Sequence, residues 1–414
     1  MDNKYIIDNS ANRDFLRDNA CSLLKFGIKY PSDGGSSYYL DGKGEPMKEM
    51  NRETWITSRM VHVYSMGSML AEGKTAEEYR NLAAAGLKGL RGELHDHKNG
   101  GWYAGLTPEG GIVEGKQCYA HAFVMLAASS AYLAGIDGAK ELLDDAKSLY
   151  DLRFWDDNIG LSCDMWDTAF GKCDEYRGLN ANMHTVEAFL AVADAIEDAS
   201  YRERAGRIIR RVAKWAEEME WRIPEHFNSD WQPLPELNKE RPDDQFKPYG
   251  ATPGHGIEWS RLIAQWAVSD KSISKEERDK YIDVSVSLYK RATSDAWCVD
   301  GAEGLVYTTD WEGKPVVRDR MHWTLAEAIN TSAVLYRITK DPAYSADYGI
   351  LMSYLDRYVI DHETGSWYHQ LDENNRLKET VWPGKPDIYH AFQAMLIPYL
   401  PPEMSVAKAV QTAR

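Results

Sequence analysis

The chain has 414 residues, 43% of them hydrophobic, which is enough for a large core. Acidic residues outnumber basic ones 64 to 48, and the formal charge of -16 repels phosphate backbones and anionic membranes, so no nucleic acid and no membrane is expected as a partner. No apolar run approaches the roughly 18 residues of a membrane span. The N-terminus lacks a basic start followed by an apolar stretch, and five scattered cysteines show no metal-finger spacing, so a reduced, cytoplasmic protein is expected.

In chain order, segments of helical periodicity that carry aromatics or histidine open near Trp55, Tyr119, His184, His255, His322 and His390. They recur at intervals of 64, 65, 71, 67 and 68 residues, each interval long enough for two helices and a loop. The segment 54–70 places Ile56, Met60, Val63, Gly67 and Leu70 on one stripe and Trp55, Arg59 and His62 on another. Segments 120–135 and 184–198 are apolar over most of their circumference, as helices between an outer layer and a packed interior must be. The more polar stretches 76–94, 200–219 and 274–294 alternate with them and read as outer helices. One all-α catalytic domain over 1–414 follows: a closed ring of six helical hairpins, an (α/α)6 barrel, with the decorated helix starts gathered at one mouth.

Between the helices, 99–111, 158–172, 302–315 and 364–376 each contain a Gly, a short aromatic or alternating strand and a turn rich in Asp, Asn, Gly or Pro. These read as short β-hairpins on one face of the ring. The connection 225–254 is long and aperiodic, and its Trp231, Phe246 and Tyr249 favour a cover over a disordered loop.

Two of the decorated starts read HTVE (184–187) and HGIE (255–258), with His and Glu three apart on one helical face. A Glu that accepts an imidazole N–H fixes the ring's tautomer and raises its basicity, as acid–base work requires. Single HxxE patterns are common by chance, and two in matching repeats are less so. Trp323 and Glu327, at i and i+4, suit a sugar: the indole stacks on the apolar ring face and the carboxylate accepts from hydroxyls. The 14 Trp and 24 Tyr against 9 Phe favour aromatics with a polar handle, which also suits protein contacts. No phosphate-binding loop, dinucleotide fingerprint, GxSxG elbow or HExxH is present. The HxxE order is the reverse of that in helical dinuclear sites and further carboxylate ligands are not evident, so neither metal nor cofactor is expected. Two other classes compete. An inverting glycoside hydrolase would draw its carboxylates from Asp164, Asp167 and Glu327, and a non-catalytic sugar-binding or oligomeric scaffold would need no histidine chemistry.

The motifs WITSRMVHVYS (55–65), GGWY (100–103), NANMHTVEAFL (180–190), TPGHGIEW (252–259), DWEGKPVVRDRMHW (310–323) and KPDIYH (385–390) resemble the N-acylglucosamine 2-epimerase superfamily. The likeness is to its aldose–ketose isomerase branch, which includes mannose and sulfoquinovose isomerases, and it covers nearly the whole chain. It implies an (α/α)6 barrel with a metal-independent site in the mouth, acting on a monosaccharide by interconverting D-mannose and D-fructose, with D-lyxose as a side substrate. The matching residues are Arg59, Tyr119, Asn180, His184, His255, Glu258, Glu327 and His390. By resemblance, His390 and His255 act as base and acid: His390 for the C1/C2 proton, and His255, oriented by Glu258, for ring opening. Arg59 and His184 would hold the O1/O2 edge. Gln245 and His369 stand where sulfosugar-active relatives carry Arg and Gln, which tilts the expectation to a neutral hexose, while Lys247 nearby keeps a sulfosugar open. Sugar 2-epimerization in the same superfamily is the near alternative, and a homo-oligomer is compatible with all of these.

Overall fold

The computed structural model describes residues 3–413. Its thirteen α-helices are α1 (Ser10–Phe26), α2 (Thr54–Leu70), α3 (Gly73–Arg91), α4 (Cys118–Leu133), α5 (Ala139–Arg153), α6 (Leu179–Ile196), α7 (Ser200–Glu218), α8 (Pro253–Ser269), α9 (Lys275–Ala296), α10 (His322–Thr339), α11 (Pro342–Tyr354), α12 (Tyr389–Leu396) and α13 (Val406–Thr412). Helices α2, α4, α6, α8, α10 and α12 contact one another in sequence, and α12 returns to α2, so the inner ring is closed. An outer helix backs each: α3, α5, α7, α9 and α11 follow their inner partners, but α12 is backed by α1 from the other end of the chain. The sixth hairpin is therefore assembled from both termini, which periodicity alone did not reveal. Helix α13 packs on α2, α4 and α6 at the end away from the mouth.

Burial explains the two compositions. Every residue of α8 from Pro253 to Ala267 is buried, since an inner helix is enclosed on all sides. Outer helix α7 buries one stripe, with Tyr201, Ala205, Ile208, Ile209 and Val212 inward and its arginines outward. Caps set several starts: Ser274 accepts from the Glu277 N–H at 3.1 Å, and Asp341 caps α11, whose first residue is Pro342.

The connections at the mouth repeat a single turn six times. The amide three residues on donates back to the carbonyl of Asp41, Thr107, Asp167, Asn228, Asp310 or Asp372. That third residue, Gly44, Gly110, Phe170, Trp231, Gly313 or Asn375, has φ between +57° and +85°. Four of these hairpins fall in the connections read from sequence. The other two lie at 41–44 and inside the long 225–254 connection, where neither helical nor strand period is strong. Buried ion pairs then clamp these connections beside the inner helix starts: Lys116 to Asp96 at 2.9 Å, Arg320 to Asp300 at 2.7 Å and Lys385 to Asp361 at 2.6 Å. All six inner helices thus present their N-terminal ends to the mouth. No helix among the described residues is long and apolar enough to cross a membrane.

Candidate active site

A pocket opens at the mouth, about 600 Å³ of empty space including its opening to solvent. It is lined by Arg59, Tyr119, Asn180, His184, His255, Glu258, Trp323 and His390, together with Gln245, Phe246, Pro248, Tyr307, His322, His369, Trp382 and Asp387. Eight of the nine expected residues meet here. Each inner helix delivers its contribution within its first two turns, so six helix N-termini bring partial positive charge to the pocket.

Three of the pocket's five histidines sit in hydrogen-bonded dyads with a glutamate. His390 Nδ1 pairs with Glu327 Oε1 at 3.1 Å, His184 Nδ1 with Glu187 Oε2 at 3.2 Å, and His255 Nδ1 with Glu225 Oε1 at 3.0 Å. An ionised carboxylate can only accept, so each dyad assigns the ring proton to Nδ1 and leaves the Nε2 lone pair for the pocket. Arg59 Nη2 lies 3.5 Å from His390 Nε2 and 3.0 Å from the Tyr119 hydroxyl, while its Nη1 donates to Asp387 at 3.1 Å. Burial, reinforced by the Arg59 charge, holds His390 well below the ordinary imidazole value, so the ring is neutral and able to accept a proton. Burial likewise lowers His184, against the pull of Glu187.

Two expectations are corrected. His255 is oriented by Glu225 and not by Glu258. One helical turn on, Glu258 faces Arg261, whose Nη2 stands 3.5 Å from Oε1. Burial and the neighbouring Glu327 push the Glu258 carboxyl well up from the ordinary carboxylate value. Glu327 does not accept from a ligand beside Trp323. It is fully buried, with Oε1 on His390 and Oε2 on Arg261 Nε at 2.7 Å.

Sequence reasoning left out Glu225, Arg261 and Asp387. Arg261 was findable, because His255, Glu258 and Arg261 form an i, i+3, i+6 stripe on α8. Glu225 was not, since it starts an aperiodic connection and reaches His255 only through the fold. Asp387 lies inside KPDIYH and joins Arg59 across 328 positions of chain.

The 225–254 connection covers one side of the pocket. Phe246 meets Trp55, Trp382 and Tyr119 edge-on with ring centroids 6.2–6.5 Å apart, and the Gln245 amide donates to the Val381 carbonyl at 3.3 Å. Trp323 lies against His255 at 4.9 Å and His390 at 6.0 Å. Asn180 Oδ1, His322 Nε2 and Trp382 Nε1 are buried without protein partners, a set of donors and acceptors suited to hydroxyls. Lys247 does not line the pocket, and its ammonium sits 3.7 Å from the centroid of the Tyr176 ring. Asp164 and Asp167 do not line it either.

His184, Glu187 and Glu258 bring ligand atoms within 4.8 Å of one another, a spacing a cation could use. Glu187 is already engaged there: Tyr389 donates to Oε2 at 2.5 Å and Gln393 to Oε1 at 3.2 Å, besides the His184 bond. Burial alone would raise Glu187, but His184, Arg261 and the Tyr389 hydroxyl hold it well below the carboxylate range. That donor set fits an imidazole–carboxylate dyad better than a metal.

The sequence profile of N-acylglucosamine 2-epimerase (GlcNAc 2-epimerase) matches residues 34–394. The chain belongs to the N-acylglucosamine 2-epimerase family. Within it the chain stands with the sugar isomerases. It is 41% identical over 372 residues to a D-mannose isomerase of Pseudomonas cannabina pv. alisalensis, covering 90% of this chain and 89% of the relative. It is 39% identical to a D-mannose isomerase of Thermobifida fusca, covering 97% and 98%. A crystal structure of a D-mannose isomerase superposes with a TM-score of 0.84 at 27% identity, covering 92% of this chain and 96% of that one. The barrel expected from the six-fold recurrence is thus the fold of this family.

Proposed function

We propose that the protein interconverts D-mannose and D-fructose, with D-lyxose and D-xylulose as a secondary pair. The observation that carries this reading is the dyad of His390 and Glu327 beside Arg59, in a chain whose relatives are D-mannose isomerases. Isomerization needs one proton moved from C2 to C1, with the oxygens exchanging theirs. His390 Nε2, neutral and unprotonated, takes the C2 proton, Glu327 stabilises the imidazolium that forms, and the same nitrogen returns the proton at C1. The enediol edge gathers negative charge during this transfer. Arg59 and the helix N-termini are placed to stabilise it without reorganisation.

On the other side of the pocket, the pair of His255 and Glu225 opens the pyranose ring and carries protons between ring oxygen and O1, while His184, Asn180 and Tyr119 bind hydroxyls. Trp323 packs on the sugar's apolar face. The substrate is read as neutral because the pocket's one guanidinium is committed to Asp387, and Lys247 is turned onto Tyr176.

Incubation with D-mannose in D2O, read by NMR, is expected to yield fructose carrying solvent deuterium at C1. The His390→Ala variant should lose at least about 10³-fold in kcat, since a positioned acid–base group supplies about 10²–10⁴-fold. Glucose as the main product would point to 2-epimerization, and loss of turnover on chelation would overturn the metal-free reading.

A further inference from the structure

Arg261 lies below the pocket, 1% exposed, and no expected site residue from the sequence included it. It does not line the mouth. It borders a second cavity toward the opposite end of the barrel, shared with His62, Glu187, Gln265 and the C-terminal segment at 402–407. Its guanidinium makes three directed contacts: Nε to Glu327 Oε2 at 2.7 Å, Nη1 to Gln265 Oε1 at 3.1 Å and Nη2 to Glu258 Oε1 at 3.5 Å. Glu327 in turn uses its remaining oxygen on His390.

We infer that Arg261 is a positioning residue for the isomerization, acting through Glu327 to keep His390 in the tautomer whose Nε2 can take the proton. This rests on the proposed role of His390. A carboxylate buried among Glu258, Glu187 and the histidines gains its charge only if a cation stands against it. With Arg261 in place, Glu327 accepts from His390 Nδ1–H, and Nε2 keeps its lone pair. Without it, Glu327 would hold a proton, donate to Nδ1, and force the ring hydrogen onto Nε2, leaving nothing to abstract the substrate proton. Lysine cannot replace the fork, because a single ammonium cannot hold Glu327 and reach Gln265 and Glu258 at the same time.

The test compares Arg261→Lys, Arg261→Met, Glu327→Gln, His390→Ala and the double variant Arg261→Met/Glu327→Gln, measuring kcat, KM and melting temperature. Arg261→Lys, which keeps the buried charge, is expected to fold and to lose roughly tenfold in kcat, with KM changed less than about threefold. Arg261→Met should lose more, roughly 10²-fold. In the Glu327→Gln background, removal of Arg261 should add little further loss, as two residues acting as one unit require. The double variant is charge-balanced and covers the case in which Arg261→Met alone fails to fold. A merely structural arginine would lower the melting temperature of Arg261→Lys while leaving kcat per folded molecule within twofold of the parent, and that result overturns the inference. Losses that add in the double variant overturn it too. If His390→Ala is fully active, the reading of the site itself fails, which separates the two failures.

Discussion

A histidine becomes useful in this barrel through the carboxylate behind it. The three dyads differ in how they are made. His184 and Glu187 are one helical turn apart on α6, so α-helix geometry delivers the pair. His390 and Glu327 come from different helices, and His255 draws Glu225 from a loop 30 positions away. The same HxxE spacing on α8 produced no dyad, because Glu258 is turned toward Arg261, one turn further along the same helix, and His255 pairs with Glu225. Glu225→Gln therefore tests the assignment. The amide conserves shape but cannot stabilise an imidazolium, and can donate to Nδ1, so kcat should drop by about 10²-fold with little change in melting temperature. Unchanged turnover would remove His255 from proton transfer.

At the scale of the element, function depends on where six helix N-termini are held. Short hairpins do this, and the tightest junction lies before α8. Gly250 has φ +85°, and an added Cβ would meet the Thr309 carbonyl oxygen at 2.1 Å. Next to it, Ala251 and Thr309 exchange backbone hydrogen bonds at 2.9 and 3.0 Å. Gly250→Ala must therefore break that bridge or strain the backbone, at a cost of about 2 kcal/mol or more, and shift the helix start that carries His255. Melting temperature and kcat/KM should both fall. Gly42→Ala is the control: its Cβ would meet nothing within 4 Å and its φ is not left-handed, so it should leave both unchanged. A Gly250→Ala protein as stable and active as the parent would mean that this bridge does not position α8.

For the whole molecule, closing a ring of inner helices buries many ionisable groups. Burial lowers His62 and His322 to about 4 and His121 to about 3. It also lowers His184, His226, His369 and His390. All seven bind a proton less readily in the fold than in the unfolded chain, which takes up protons below about pH 6.5, so their contribution is complete above that pH and is lost as pH falls. Five carboxyls act in the opposite sense: Glu53, raised to about 7, Asp164, raised to about 6, and Glu258, Glu327 and Asp347, all raised by burial. The histidines outnumber them, and each net proton is worth roughly 1.4 kcal/mol per pH unit. Melting temperature should therefore decline between pH 6.5 and 5, as a scan by calorimetry would show. A flat or rising curve would mean that the carboxyls dominate.

The sequence by itself determined the ring, the mouth and most of the pocket's lining. Helical period, aromatic spacing and the apolar girth of inner helices are local properties repeated at near-constant intervals, and the family motifs lie at helix starts where backbone geometry fixes their direction. Tertiary structure alone decided that α1 completes the sixth hairpin, that Glu225 and not Glu258 backs His255, and that Arg261 ties Glu327 and Glu258 together under the pocket. Apart from the Arg261–Glu258 pair within α8, these contacts join residues on different elements. A spacing rule can state which side chains share a face, but only the closed barrel brings that face against its partner.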